Sequence, residues 1–243
     1  MRETRATLII SIDDREVEAL EGETVLQTAR RQGIDIPSLC YLEGLSAVGA
    51  CRICVVEVSE QHHLRPACAL VVAEDMEVWT NTPRLQRYRR GILELLFAEG
   101  NHVCAVCVAN GNCELQDRAV DAGMDHVRFD YQSPQRAVDA SHPKYVFDPN
   151  RCILCTRCVR VCDEIEGAHV WDVASRGHQA FLVTELGRPW GESTSCTWCG
   201  KCVAVCPTGS LAYQGSAVGE MEHQPDLVAR LVSARKDREW ITP

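Results

Sequence analysis

Fifteen of the 243 residues are cysteine, and all of them fall into four groups. Cys40, Cys51, Cys54 and Cys68 are separated by 10, 2 and 13 residues, and Cys104, Cys107 and Cys113 by 2 and 5. Cys152, Cys155, Cys158 and Cys162 are separated by 2, 2 and 3, and Cys196, Cys199, Cys202 and Cys206 repeat that spacing before Pro207. Three cysteines at two-residue intervals wrap a short loop around one face of a cubane. The fourth points elsewhere and, where two such runs share a chain, ligates the other cluster. On that spacing Cys152, Cys155, Cys158 and Cys206 are expected to hold one [4Fe–4S] cluster, and Cys162, Cys196, Cys199 and Cys202 a second. A pair of zinc sites is the competing reading, although zinc generally closes with two separate Cys-x2-Cys pairs.

The first group brackets Cys51-Arg52-Ile53-Cys54 between the distant Cys40 and Cys68. Four thiolates suit a [2Fe–2S] cluster, and zinc is the alternative for this group taken alone. Gly44, Gly49 and Ala50 offer a backbone able to approach a cluster closely, where N–H groups reach the sulfurs and tune potential. The loop resembles that of the plant-type ferredoxin fold, with different spacing. The second group has three thiolates where a [4Fe–4S] cluster needs four protein ligands, so a non-cysteine residue completes it or one iron stays open. His102, two positions before Cys104, is the nearest imidazole and the expected fourth ligand; the other seven histidines have no comparable context.

Short elements must position these thiols. Thr7 to Ser11 and Glu16 to Ala19 flank Asp13-Asp14 and read as two antiparallel strands. Thr24 caps a short helix with Val25, Leu26 and Ala29 on one face and Gly33 beyond its end. Ile53 to Val58 and Met76 to Thr80 are further strands, giving a small sheet with one helix upon it. Pro83 opens a second segment, in which Leu85, Tyr88, Ile92, Leu95 and Leu96 recur at helical spacing until Gly100, a stripe expected to face a core. Glu114 to Ala122 reads as a helix stopped by Gly123, and Asp130 to Pro143, with Ser133-Pro134 and His142-Pro143, as a linker. In the tail from Pro225 to Trp240, Leu227, Val228, Leu231 and Val232 share a side, which suits a helix docking on a partner or one closing its own domain.

Hydrophobic residues make up 46% and charged residues 24%, the composition of a globular chain. An odd number of cysteines excludes complete intrachain pairing. The formal charge of −9 removes the general attraction to nucleic acid. No stretch is apolar for the ~20 residues that a membrane span requires, and Leu8-Ile9-Ile10 is too short for an export signal. A cytoplasmic setting is therefore expected, where thiols stay reduced and clustered cysteines bind metal more often than they pair. Neither G-x-G-x-x-G nor G-x-x-x-x-G-K-[ST] occurs, no catalytic constellation declares itself, and no cysteine is left for a further metal. The pattern is that of an electron conductor whose substrates bind elsewhere.

Together the four motifs, with Cys104-x2-Cys107-x5-Cys113 continuing into Glu114-Leu115-Gln116, resemble the N-terminal part of the large iron–sulfur subunit of respiratory complex I. The same modules open the iron-only hydrogenases and the large subunit of NAD-dependent formate dehydrogenases. A chain of this length resembles the small diaphorase subunit of cytoplasmic NAD-reducing, bidirectional nickel–iron hydrogenase, over roughly Leu8 to Tyr213. The resemblance implies an α+β chain: a β-grasp [2Fe–2S] ferredoxin-like domain at 1–80, a small helical His/Cys3 [4Fe–4S] domain at 81–140, a bacterial two-[4Fe–4S] ferredoxin-like domain at 141–216 and a helical tail at 217–243. It implies one [2Fe–2S] and three [4Fe–4S] clusters and no catalytic residue here. The implied partners are a flavin/NAD diaphorase subunit and the small and large [NiFe] hydrogenase subunits, between which electrons pass as H2 reduces NAD+ reversibly. An equivalent subunit of formate dehydrogenase or a complex I relative is the alternative, and an iron–sulfur redox sensor or zinc module one of another class. Relatives show His-x3-Cys, which places the ligand at Gly100, whereas His102-Val103-Cys104 stands here. Either His102 reaches the iron from a loop of different shape, as the family implies, or another group completes the site.

Overall fold

The computed structural model describes residues 6–132 and 135–237; Ser133-Pro134 and the end of the tail through Trp240 lie outside the described residues. The expected hairpin forms: β1 (Thr7–Ile12) and β2 (Arg15–Leu20) pair antiparallel, and Asp13 and Asp14 take left-handed φ values of 50° and 61°, which suits a tight two-residue turn. Alternation turns Ile10 and Ile12 of β1 and Val17 and Ala19 of β2 inward. Helix α1 (Val25–Arg31) lies over them with Val25, Leu26 and Ala29 fully buried. Its start is fixed by a capping box, in which the Thr24 side chain accepts from the Gln27 N–H and the Gln27 side chain from the Thr24 N–H. Strands β3 (Val55–Val58), β4 (Arg65–Pro66) and β5 (Glu77–Trp79) complete a sheet of order β2-β1-β5-β3-β4, in which β1 and β5 run parallel.

Helix α2 (Pro83–Glu99) begins at Thr82, whose side chain accepts from the Leu85 N–H, and stops at Gly100. Its buried face differs from the expected stripe. Leu85, Arg89, Leu93, Glu94 and Ala98 point inward, while Tyr88 and Leu95 are exposed. The rotation has a polar cause: the Arg89 guanidinium donates to the carbonyls of Ile53 and Val55, and Arg90 and Arg128 both reach the Glu94 carboxylate. Helix α3 (Glu114–Asp121) follows, with Gly123 at φ 59° beyond its end, as a left-handed terminal position favours.

The last third is built on an antiparallel pair, β6 (Tyr145–Phe147) with the later β9 (Leu211–Tyr213), enclosing α4 (Arg157–Arg160), a π turn from Val161 to Glu166, the hairpin β7 (Trp171–Ala174) and β8 (Phe181–Thr184), and α5 (Lys201–Ala204). The expected linker is partly core. His142 is 1% exposed and stacks on Tyr145 at 4.7 Å, with Trp190 and Trp198 each at 4.8 Å, and Asp139 holds the Phe147 backbone in a two-way bridge. A hydrophilic count misses this segment because its buried members are a histidine and backbone groups.

Helix α6 (Leu227–Asp237) resolves the tail in favour of closing its own chain. Val228 is fully buried, Leu231 and Val232 pack beside it, and the Arg235 side chain donates to the Ile165 carbonyl. Gly44 takes φ 88° beneath this helix, where a Cβ would stand 2.9 Å from Val228 Cγ1, so its lack of a side chain serves helix packing and not the approach to a cluster expected from sequence. Val228→Ala removes two buried methyl groups and should cost about 2 kcal/mol in denaturant unfolding of the loaded protein. Val218→Ala, at a position 54% exposed, should leave stability within error.

Candidate iron–sulfur sites

None of the fifteen thiols is in a disulfide. Among the described residues no three His, Cys, Asp or Glu side chains converge on a point that would hold a single metal ion. The thiols gather instead as spaced groups that the folding of their loops determines.

Cys40 leaves the loop after α1, Cys54 immediately precedes β3, and Cys68 follows β4. The sheet brings them together: Ala67 N–H donates to the Cys54 carbonyl, and Leu26 of α1 donates to the Ala67 carbonyl. Cys51 and then Cys68 hydrogen-bond the Cys40 thiol and hold it far below the usual thiol range, with the Ala50 N–H adding to the effect. Cys68 is driven in the opposite direction by its bonds to Cys40 and Cys54. Four thiols that share protons in this way would all be deprotonated on binding iron.

The second group sits on the approach to α3. Cys104 opens a short 3-10 turn, Cys107 closes it, and Cys113 is the cap of α3. Cys104, Cys107 and Cys113 line a small cavity together with His102, Phe97, Arg151 and Thr208. Burial, and next the charge of Arg151, push the His102 imidazole down to about 4, so the ring is neutral at physiological pH. Its Nε2 is buried without a hydrogen-bond partner, whereas the Leu96 backbone supplies one to the ring. A ligating histidine has this arrangement, one nitrogen held by a carbonyl and the other free. The altered spacing also has a structural explanation. A Cβ at Gly100 would lie 2.8 Å from His102 Cδ2 and nearer still to Nε2, so the His102 ring fills the space that a side chain at position 100 would enter.

The third and fourth groups use one backbone design twice. Leu154 and Thr156 flank Cys155 with φ of 51° and 59°, and Trp198 and Gly200 flank Cys199 with φ of 60° and 71°. Left-handed conformations at three non-glycine residues cost of order 1 kcal/mol each and persist only where surroundings impose them. The result in each loop is a tight wrap before a short helix, α4 or α5. Cys152, Cys155, Cys158 and Cys206 line one small cavity with Thr156, Leu182 and Thr208. Burial pushes the Cys155 thiol up to about 11 and the Cys152 thiol up to about 12, while the charges of Arg157 and then Arg160 oppose the rise at Cys155. In the fourth group burial pushes Cys202 upward, with the Cys199, Cys162 and Cys196 thiols beside it; the Trp171 side chain hydrogen-bonds its sulfur. Cys206 thus lies with the Cys152, Cys155 and Cys158 thiols, and Cys162 with Cys196, Cys199 and Cys202. Cys199 is exposed, which puts the fourth group at the surface.

Sequence reasoning missed three arginines. Arg157, 2% exposed, donates to both oxygens of Glu114 at 2.5 and 2.8 Å and to the carbonyl of Tyr41 at 3.1 Å. Arg160 donates to the carbonyls of Cys40, Ser46 and Cys155, and Arg89 to those beside Cys54. The signal was available: two arginines lie inside the Cys152–Cys162 run, between positions that must be dry. The second and third groups also meet directly. Cys113 donates to the Pro207 carbonyl, and a Cβ at Gly209 would stand 2.6 Å from Cys107 Sγ. A larger cleft lined by Asp13, Thr80, Arg89 and Arg118 contains no cysteine.

These features define an iron–sulfur protein of ferredoxin-like modules. Residues 5–83 match the 2Fe-2S iron-sulfur cluster binding domain, residues 89–128 the NADH-ubiquinone oxidoreductase-G iron-sulfur binding region, and residues 143–212 the ferredoxin-like domain of NADH-quinone oxidoreductase subunit 3. The chain belongs to the same family as the gamma subunit of the NAD-reducing hydrogenase HoxS of Cupriavidus necator, to which it is 34% identical over 203 residues, 83% of this chain and 85% of that protein. A chain in the crystal structure of an NAD+-reducing [NiFe]-hydrogenase in the H2-reduced state superposes with a TM-score of 0.82 at 36% identity, covering 87% of this chain and 89% of that one. The 75 kDa subunit of NADH-ubiquinone oxidoreductase from Reclinomonas americana is 34% identical over 204 residues, 83% of this chain, which spans 29% of that protein. Several other relatives are longer in the same way, and the chain spans about a quarter of their length. The expected α+β fold with its ferredoxin-like modules is therefore present, and no described helix is long and apolar enough to cross a membrane.

Gly209→Ala should lower iron per chain, because the methyl group would stand 2.6 Å from the Cys107 sulfur and 3.3 Å from Val108 Cγ2. Gly91→Ala in α2, whose Cβ would meet nothing within 4 Å, should leave iron content unchanged.

Proposed function

We propose that the chain is the electron-transfer subunit joining a [NiFe] hydrogenase module to a flavin/NAD diaphorase module, in the cytoplasm, within a complex that couples H2 and NAD+ reversibly. The observation that carries this reading is the gathering of all four thiol groups in one continuous body, with the third group touching each of the others. Arg160 joins Cys40 to Cys155, Thr208 lines the cavities of both the second and third groups, and the Cys158 thiol has that of Cys202 among its neighbours. Family membership and the superposed hydrogenase chain support the choice of complex.

In this reading Cys40, Cys51, Cys54 and Cys68 hold a [2Fe–2S] cluster, and three [4Fe–4S] clusters are held by His102 with Cys104, Cys107 and Cys113, by Cys152, Cys155, Cys158 and Cys206, and by Cys162, Cys196, Cys199 and Cys202. Bound clusters of these types each carry one electron reversibly. The chain's own part is to set ligand geometry, keep three sites dry and bring the fourth to the surface. Buried arginines supply positive charge where reduction adds negative charge. No bond is made or broken on a substrate by these residues.

Purification of the native complex tests the reading. Nickel and flavin in the co-purifying subunits are expected; molybdenum or tungsten in place of nickel would contradict the hydrogenase assignment. His102→Ala should perturb one [4Fe–4S] electron paramagnetic resonance signal and spare the rest, and unchanged iron with unchanged signals would remove His102 from the ligand set.

A further inference from the structure

Arg160 is 6% exposed, and its guanidinium donates to three carbonyls and a hydroxyl. Nη1 donates to the Ser46 carbonyl at 2.6 Å, and Nε to Thr156 Oγ1 at 3.3 Å. Nη2 donates both to the Cys40 carbonyl at 2.6 Å and to the Cys155 carbonyl at 3.1 Å. Among the described residues no carboxylate lies within ion-pair distance of it, in contrast to Arg157, which Glu114 neutralises. A buried cation without a carboxylate partner is costly unless negative charge of another kind stands nearby. Two of its four acceptors are the carbonyls of Cys40 and Cys155, residues whose sulfurs carry negative charge once they ligate.

One nitrogen therefore ties together the ligand loops of two different sites, 115 positions apart in the chain. We propose that Arg160 is a positioning residue that locks the Cys40 loop to the Cys155 loop and raises the reduction potentials of the two clusters held there together. The inference rests on the ligand assignment proposed above. Its physical basis is simple: reduction adds one negative charge to a cluster, and a nearby fixed positive charge in a poorly screening interior favours that state. A guanidinium shared between both loops acts on both clusters, and its three carbonyl bonds keep the loops from moving apart. This also places the [2Fe–2S] site in direct contact with the body of the third site through a continuous hydrogen-bonded path, Cys40 carbonyl to Nη2 to Cys155 carbonyl.

Redox titration of the full chain, followed by electron paramagnetic resonance, reads the effect for each cluster separately. Arg160→Gln should lower the midpoint potentials of the [2Fe–2S] cluster and of the Cys152/Cys155/Cys158/Cys206 cluster together, and leave the His102 and Cys196 clusters where they are. A folded, fully loaded Arg160→Gln protein in which neither potential moves, or only one does, would overturn the proposal. Where Arg160→Gln fails to load, Arg160→Met carries the test: it removes the charge but keeps most of the stem's packing, so both potentials should again fall. Movement of one alone, or of neither, is again the contrary result. Cys40→Ser and Cys155→Ser assign the two signals independently. If either serine variant leaves its signal untouched, the ligand assignment fails, which is a different outcome from a null Arg160 result.

Discussion

Buried guanidinium groups hold this molecule's three ligand-bearing segments to one another. Arg157 and Arg160 project from α4, in the middle of the third cysteine run, and reach the Tyr41 and Cys40 carbonyls on one side and Glu114, one residue past Cys113, on another. Arg89 does the same from α2 to the strand that follows Cys54. Removing one member of a buried, hydrogen-bonded charge pair typically costs about 3–5 kcal/mol, because the other is left uncompensated. The thiol groups are thus not four independent pockets on a string. Their mutual placement depends on a few cations that are themselves tolerable inside the protein because carbonyls and one carboxylate accept their hydrogen bonds.

The same burial explains the state of the thiols. Desolvation is the largest cause raising Cys113, Cys152, Cys155 and Cys202, so in the absence of metal these side chains are neutral. Iron binding must then expel protons, and assembly of each site is linked to pH and to folding. The backbone supplies the complement. Left-handed residues on either side of Cys155 and Cys199 turn the wrapping loops tightly, and the Leu154 N–H donates to the Cys152 sulfur at 3.4 Å. The Cys113 thiol receives the Leu115 and Gln116 N–H groups at the start of α3.

Local signals in the sequence were strong where a short rule governs structure. The Asp13-Asp14 turn, the Thr24 cap, the Pro83 start, the Gly100 and Gly123 stops and the cysteine spacings each depend on residues near one another, and each is readable without the fold. The misses share the opposite property. The buried face of α2 turns on Arg89 meeting carbonyls 34 and 36 residues away, Gly44 is explained only by α6, and Gly209 only by the sulfur of Cys107. His142 enters an aromatic core whose other members, Trp190 and Trp198, lie about fifty residues on. The displaced histidine belongs to both kinds: His102 stands out as the nearest imidazole, but only the folded loop shows its ring in the space that Gly100 leaves open.

Four thiol groups for four clusters, one of two irons and three of four, is the proposed arrangement on which the electron-transfer role rests. Mössbauer spectroscopy of the chain loaded with isotopically enriched iron, combined with metal analysis, tests it most directly. About 14 irons per chain are expected, with spectra of one [2Fe–2S] and three [4Fe–4S] centres in proportion. A count near 10 with one cubane missing, or zinc in any of the four groups, would contradict it.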